Sequence, residues 1–174
     1  MSKIRVGIDV GKDGGIAVFK DDKIDLLQVT PNIGTQIDLR GISDILTKYR
    51  NNPYTDIHVV VEDVHAIGGS AAGATFAFGW SLGILEGILV ALSIPYTKVT
   101  PKEWQGQLWQ GVKPVIKPPK GESKRKVVDT KTTSLLAAQR LFPNVDFRKS
   151  ERATKAHDGM VDALLLAEYC KRKF

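Results

Sequence analysis

The sequence predicts an α/β fold built on a five-stranded mixed sheet flanked by helices. The first 30 residues contain three short apolar runs joined by tight turns, the pattern of an antiparallel three-strand meander. The rest of the chain alternates helical segments with two further β-like runs and ends in helices. With 174 residues, 43% of them hydrophobic, we expect one domain spanning residues 1–174.

The predicted strands of the meander are IRVGIDV (4–10), GIAVFK (15–20) and KIDLLQV (23–29). Glycines in GKDGG and the pair Asp21-Asp22 supply the turns between them. The run IHVVVEDV (57–64) is almost continuously β-branched and apolar, which favours a central strand covered on both faces. PYTKVT supplies the fifth strand.

Four segments have helical character, and Pro101 suits the first position of a further helix, in PKEWQGQLW. Prolines and lysines in residues 110–126 predict irregular structure, because proline removes a backbone donor and fixes φ. The aromatic residues Phe76, Trp104 and Trp109 are expected in the core. The four helical segments are residues 38–50, 71–92, 130–142 and 157–173.

Residues 71–92 are long and apolar enough to raise a membrane span. Glu86 in its middle and the strands on either side favour a buried helix or an interface instead, so no membrane is expected as a partner. Gly79, Gly83 and Gly87 recur every four residues and line one face, where another backbone could approach closely.

Charge is concentrated in one segment. The net charge is +6 and the pI about 9.4, and residues 110–126 carry six basic side chains against Glu122 alone. This segment is expected to follow a polyanionic backbone, although a merely solubilising loop stays an alternative. Its basic residues are Lys113, Lys117, Lys120, Lys124, Arg125 and Lys126.

Cysteine content and the N-terminus predict an intracellular, cytoplasmic protein. Cys170 is the sole cysteine, which excludes an intrachain disulfide and a cysteine-cluster zinc site. The N-terminal residues run directly into the first predicted strand, without the apolar core of a signal peptide.

Four acidic residues form the candidate site. Asp9 and Glu62 end apolar strands, and Asp158 and Asp162 lie one helical turn apart. A carboxylate at the end of a buried strand is costly unless it is paired, and a divalent cation removes that cost. Two readings stay open: Asp9 as a simple turn residue and Asp158 as a helix cap.

The segments GIDVGKDGG, VVVEDV and HDGMVDALLLA resemble the three acidic motifs of RuvC-type Holliday junction resolvases, particularly compact phage-like members. The resemblance implies a ribonuclease H-like fold and a nuclease that cuts four-way DNA junctions by paired nicks. It implies a homodimer, whose interface we expect on the glycine-lined helix, in a bacterial or phage-infected cell. It also implies two Mg²⁺ ions per site, replaceable by Mn²⁺, bound by Asp9, Glu62, Asp158 and Asp162.

The resemblance also resolves or leaves open several assignments. Glu62 and Asp63 point to opposite faces of a strand, and the resemblance selects Glu62. Many relatives space the last two acids by three residues, and some carry a histidine there, so His157 stays a rival to Asp158. Lys131 occupies a place similar to that of a lysine near the scissile phosphate, and Lys102 is a second DNA-contacting candidate.

Three other functions fit parts of the sequence. A ribonuclease H-like nuclease acting on a flap or an RNA–DNA hybrid would use the same acids. A basic DNA-binding module with structural acids would be no enzyme. The GKDGG turn also resembles the phosphate loop of actin-like ATPases and sugar kinases, but such proteins need a second domain and do not require Glu62, Asp158 and Asp162 together.

Overall fold

The protein is described by a computed structural model that covers residues 2–51, 54–63, 72–118 and 126–174. The nine strands in the described residues are β1 Ser2–Asp9, β2 Gly15–Lys20, β3 Lys23–Val29, β4 Asn32–Ile33, β5 Gln36–Ile37, β6 Thr55–Glu62, β7 Tyr96–Val99, β8 Ile116–Lys117 and β9 Val127–Val128. The same described ranges contain five helices, α1 Leu39–Arg50, α2 Ala72–Ala91, α3 Pro101–Leu108, α4 Thr130–Leu141 and α5 Asp158–Lys173.

The predicted five-stranded mixed sheet is confirmed, with strand order β3-β2-β1-β6-β7. β2 pairs antiparallel with β1 and β3, while β1–β6 and β6–β7 are parallel pairs. Asp21 and Asp22 both have positive φ in the turn of the β2–β3 hairpin, the conformation that matches the twist of a tight hairpin. The meander therefore forms where the sequence placed it.

The two faces of the sheet are covered by different helices. Ile4, Val6 and Ile8 of β1 pack on the face covered by α1 and α2, in a cluster with Leu46 and Leu89. The opposite face packs against α3, α4 and α5. Because side chains alternate along a strand, the remaining residues of β1, including Asp9, face α5.

Two predictions about irregular and buried segments were wrong. Ile116 and Lys117, within the Pro/Lys segment, pair antiparallel with Val127 and Val128 as β8 and β9. This ladder is possible because neither Ile116 nor Lys117 is a proline, so both keep their backbone donors. Phe76 is 74% exposed rather than buried, since it lies on the side of α2 that faces away from the sheet.

Candidate nuclease site

Two of the four acids meet at one edge of the sheet. Asp9 ends β1 and Glu62 ends β6, and the parallel register pairs Ile8 with Val61, immediately before them. Val60 packs in the cluster that contains α5, so Glu62, two residues later, lies on the same face as Asp9. The alternation of side chains along β6 therefore places Glu62 on the face covered by α5. Sequence periodicity could not make this assignment, because both faces of the strand are apolar.

The other two acids are on α5, which packs against β1 and β2. His157 is the N-cap and Asp158 the first helical residue, so the reading of Asp158 as the cap is wrong. Asp162 points inward, where the Ser134 hydroxyl of α4 hydrogen bonds its carboxyl. Asp158 is half exposed and its Oδ2 accepts a 2.6 Å hydrogen bond from Lys131 Nζ.

Three glycines bring α5 close to the sheet. A Cβ on Gly7 of β1 would overlap the backbone of Ala163 and Ala167. A Cβ on Gly15 would overlap the backbone of Gly159, and one on Gly159 would overlap the β1–β2 turn. The helix therefore rests directly on strand and turn backbone, and this close approach places the α5 acids beside Asp9.

Burial and mutual repulsion make the ionised forms of the site carboxyl groups unfavourable. Burial raises the pKa of Asp9 well above its usual value, and the neighbouring Asp162, Glu62 and Asp158 raise it further. Burial, together with Glu62 and Asp158, raises the pKa of Asp162 to about 7. Burial also raises the pKa of Glu62. Four carboxylates near enough to repel one another, in a partly dry site, favour binding of positive charge.

The donor set fits a hard divalent cation. All four side chains offer carboxylate oxygens, the ligands that Mg²⁺ and Mn²⁺ prefer. Asp162 Oδ1 is buried and has no hydrogen-bond partner within the described structure, as expected of an oxygen kept for a ligand. In the described residues no three His, Cys, Asp or Glu side chains already converge as a metal site, so binding would require the carboxylates to turn toward a shared ion.

Two tryptophans contact the site through bonds that the sequence did not reveal. Trp104 Nε1 donates a 2.8 Å hydrogen bond to Glu62 Oε1. Trp109 Nε1 donates a 3.3 Å bond to the Ser134 hydroxyl, which in turn bonds Asp162. The prediction that Trp104 lies in the core is confirmed, but its polar end also serves the site.

The histidines have separate surroundings. His157 Nδ1 is buried with no hydrogen-bond partner among the described atoms, so the choice between His157 and Asp158 as ligand stays a prediction. His58 lies elsewhere, where its ring bonds Thr97 Oγ1 at 2.9 Å and stacks on Phe174. His65 and Ile67 follow the predicted strand IHVVVEDV in the sequence and are candidates for contacting bases of a DNA junction, but both lie outside the described residues.

The described parts of the basic segment, residues 110–118 and Lys126, lie near the acids. Asp129 caps α4 by accepting from Thr132 N–H, and its own N–H donates to Val115 O at 2.7 Å. This fixes the base of the β8–β9 hairpin to the turn of α4 that carries Lys131. Lys113, Lys117 and Lys126 are exposed, with Lys117 3.6 Å from Asp129, and Lys102 is exposed on α3. Lys120, Lys124 and Arg125 lie outside the described residues.

The predicted small-residue face of α2 is open. A Cβ at Gly79, Gly83 or Gly87 would meet no atom within 4 Å among the described residues. Phe76 and Trp80 are exposed on the same helix. No helix in the described parts of the chain combines the length and apolar character needed to cross a membrane.

Comparison with known proteins supports the fold. The chain is similar to RuvC of Thermus thermophilus in complex with a Holliday junction substrate (TM-score 0.59, 14% identity, 94% of this chain and 90% of that one). It is also similar to a second structure of Thermus thermophilus RuvC (TM-score 0.56, 16% identity, 97% and 96% covered). No protein-family model and no curated protein sequence match. The predicted ribonuclease H-like fold, of the kind found in RuvC, is confirmed.

Proposed function

We propose that this protein is a metal-dependent, structure-selective endodeoxyribonuclease that resolves four-way DNA junctions by paired symmetric nicks. The observation that carries the proposal is the arrangement of Asp9, Glu62, Asp158 and Asp162, from two adjacent strand ends and one helix, around a strained acidic site. The RuvC-like fold supports the choice of substrate, because one similar RuvC structure holds a Holliday junction. Such a nuclease acts on DNA in the cytoplasm of a bacterial or phage-infected cell.

The four carboxylates would hold two Mg²⁺ ions, or Mn²⁺ in their place. When bound, the ions would lower the pKa of a water nucleophile and stabilise the leaving oxygen of the phosphodiester. The carboxylates orient this chemistry, and the protein walls around Asp9 and Asp162 limit access of bulk water. The Lys131 ammonium, which neutralises Asp158 in the free protein, would stabilise negative charge on a phosphate placed at the site.

DNA would be held by basic side chains close to the acids. The β8–β9 hairpin is joined to the start of α4, which also carries Lys131. Phosphate contacts from this hairpin would make binding depend steeply on salt. The residues proposed to contact DNA are Lys102, Lys113, Lys117, Lys120, Lys124, Arg125, Lys126 and Lys131.

We place the partner copy of a homodimer on the open face of α2. Opposed cuts in a nearly twofold-symmetric junction require two sites related by a twofold axis. Gly83, with open space beyond its Cα, would permit close contact, and Phe76 and Trp80 supply exposed apolar surface. A Gly83→Arg variant should reduce the mass measured by light scattering to that of a monomer. An unchanged mass would exclude this face.

The proposal is tested by cleavage on a denaturing gel. Labelled four-way junction, linear duplex, flap and RNA–DNA hybrid are each incubated with Mg²⁺, Mn²⁺ or EDTA. Paired nicks in the junction alone, absent with EDTA and absent from a folded Glu62→Gln variant, would support a resolvase. Cutting of the flap or hybrid instead would overturn the substrate and keep the metal site. A folded protein that binds the junction without cutting it would be a DNA-binding module.

A further inference from the structure

The indole of Trp104 lies between the core and the acidic site. It is fully buried, and its Nε1–H donates to Glu62 Oε1 at 2.8 Å. Trp104 belongs to the first turn of α3, whose start is fixed by a capping box in which Thr100 N–H donates to Glu103 Oε2 at 2.8 Å. The position of this indole is therefore set by the helix cap and by core packing, independently of the acids.

The same part of the fold sets the distance between donor and acceptor. Glu62 ends β6, and its register partner on β7 is Val99. α3 begins at Pro101, directly after the Thr100 cap. The strand that pairs with Glu62 thus leads, within a few residues, into the helix that holds its hydrogen-bond donor.

A buried neutral donor has a particular effect on a carboxylate ligand. A glutamate side chain has three rotatable bonds, and within the described residues Trp104 is the one hydrogen-bond donor to the Glu62 carboxylate. The indole N–H occupies one oxygen and leaves Oε2 available, without placing a positive charge beside it. A lysine or arginine donor would instead compete with a bound cation. Hydrogen bonds from neighbouring residues to a metal-binding side chain orient that side chain and commonly affect metal affinity.

We propose that Trp104 is a positioning residue that holds the Glu62 carboxylate ready to bind a metal ion. This inference rests on the proposed function, since it assigns Trp104 to the metal site of that nuclease. Filling of the core alone does not require the indole N–H to meet a carboxylate. Loss of the N–H with an aromatic ring retained therefore separates the two roles.

The test measures Mn²⁺ affinity by calorimetry for wild type, Trp104→Phe and Leu108→Ala. Leu108 is fully buried on the same helix, so its truncation loosens α3 and leaves the indole bond in place. We expect Trp104→Phe to weaken Mn²⁺ binding by about 10–100-fold. Leu108→Ala should lower the melting temperature and leave Mn²⁺ affinity within about threefold, because it removes only packing.

A second measurement follows the indole N–H resonances of the folded wild-type protein by NMR. The Trp104→Phe variant is used here only to assign the resonance of Trp104. The three tryptophans give three indole N–H resonances, and that of Trp104 should shift most when Mg²⁺ is added. Unchanged Mn²⁺ affinity in Trp104→Phe would overturn this inference and leave the proposed function intact. So would an unmoved Trp104 resonance when Mg²⁺ is bound. A wild-type protein that binds neither ion overturns the proposed function itself.

Discussion

Replacing Asp162 by asparagine is expected to stabilise the metal-free protein while abolishing the proposed cleavage. Asp162 is buried, and its pKa is about 7 in the folded protein against 3.8 for an unperturbed aspartate. The folded state therefore binds more protons than the unfolded state between these values. Stability contributed by this group is complete below pH 3.8 and is lost as the pH rises toward 7.

The magnitude follows from the two pKa values. A difference of this size corresponds to about 4 kcal/mol of unfolding free energy once the pH exceeds 7. At pH 5 the same relation gives a loss of about 2 kcal/mol. An asparagine cannot ionise and keeps the shape of the side chain, so its advantage over Asp162 should grow by about 2–3 kcal/mol between pH 5 and pH 8.

Urea unfolding followed by circular dichroism, in EDTA at pH 5 and pH 8, measures this difference. A matched control is Asp146→Asn, because Arg148 lowers the pKa of the exposed Asp146 to about 2. Both values for Asp146 lie below pH 5, so its substitution should have the same effect at both pH values. Equal effects of Asp162→Asn at the two pH values, or a lower stability at pH 8, would refute the electrostatic description of the site.

Three further outcomes are expected. Lys131→Gln should change the free energy of unfolding by less than about 1 kcal/mol, because the ion pair is exposed. The same substitution should slow junction cleavage at saturating DNA by roughly 100-fold. An unchanged cleavage rate would show that Lys131 has no role in the reaction. Replacing Lys113 and Lys126 by glutamine should reduce the slope of log affinity against log salt by about 2, measured by fluorescence anisotropy; an unchanged slope would leave the hairpin without phosphate contacts. Gly7→Ala should cost at least about 1–3 kcal/mol in urea unfolding, because α5 would have to move away from β1, whereas Gly106→Ala, with open space at its Cβ, should be neutral or stabilising.

The regular parts of the fold could be predicted because local pattern determines them. Apolar runs and turn residues located the meander, and Pro101 marked the start of α3. Periodicity could not choose between Glu62 and Asp63, because both faces of β6 are covered; the family resemblance selected Glu62, and the folded sheet places Glu62 on the same face as Asp9.

The supporting bonds of the site could not be predicted, because they join distant parts of the chain. Trp104 and Glu62 are 42 residues apart, and Lys131 and Asp158 are 27 apart. No local pattern encodes the direction of an indole N–H. The exposure of Phe76 was missed for a related reason, since a helix that is apolar all round does not indicate which side meets the sheet.

The contact of α5 with β1 has a consequence for how such a site can survive divergence of its sequence. Backbone atoms, rather than interlocking side chains, set the spacing between the helix acids and Asp9. Core residues elsewhere can therefore be exchanged without moving the acids, provided that Gly7, Gly15 and Gly159 are not replaced by residues with a side chain. This chain and RuvC of Thermus thermophilus, which are 14% identical, share the fold, and a spacing that is set by backbone contact is a feature that such divergence can leave unchanged.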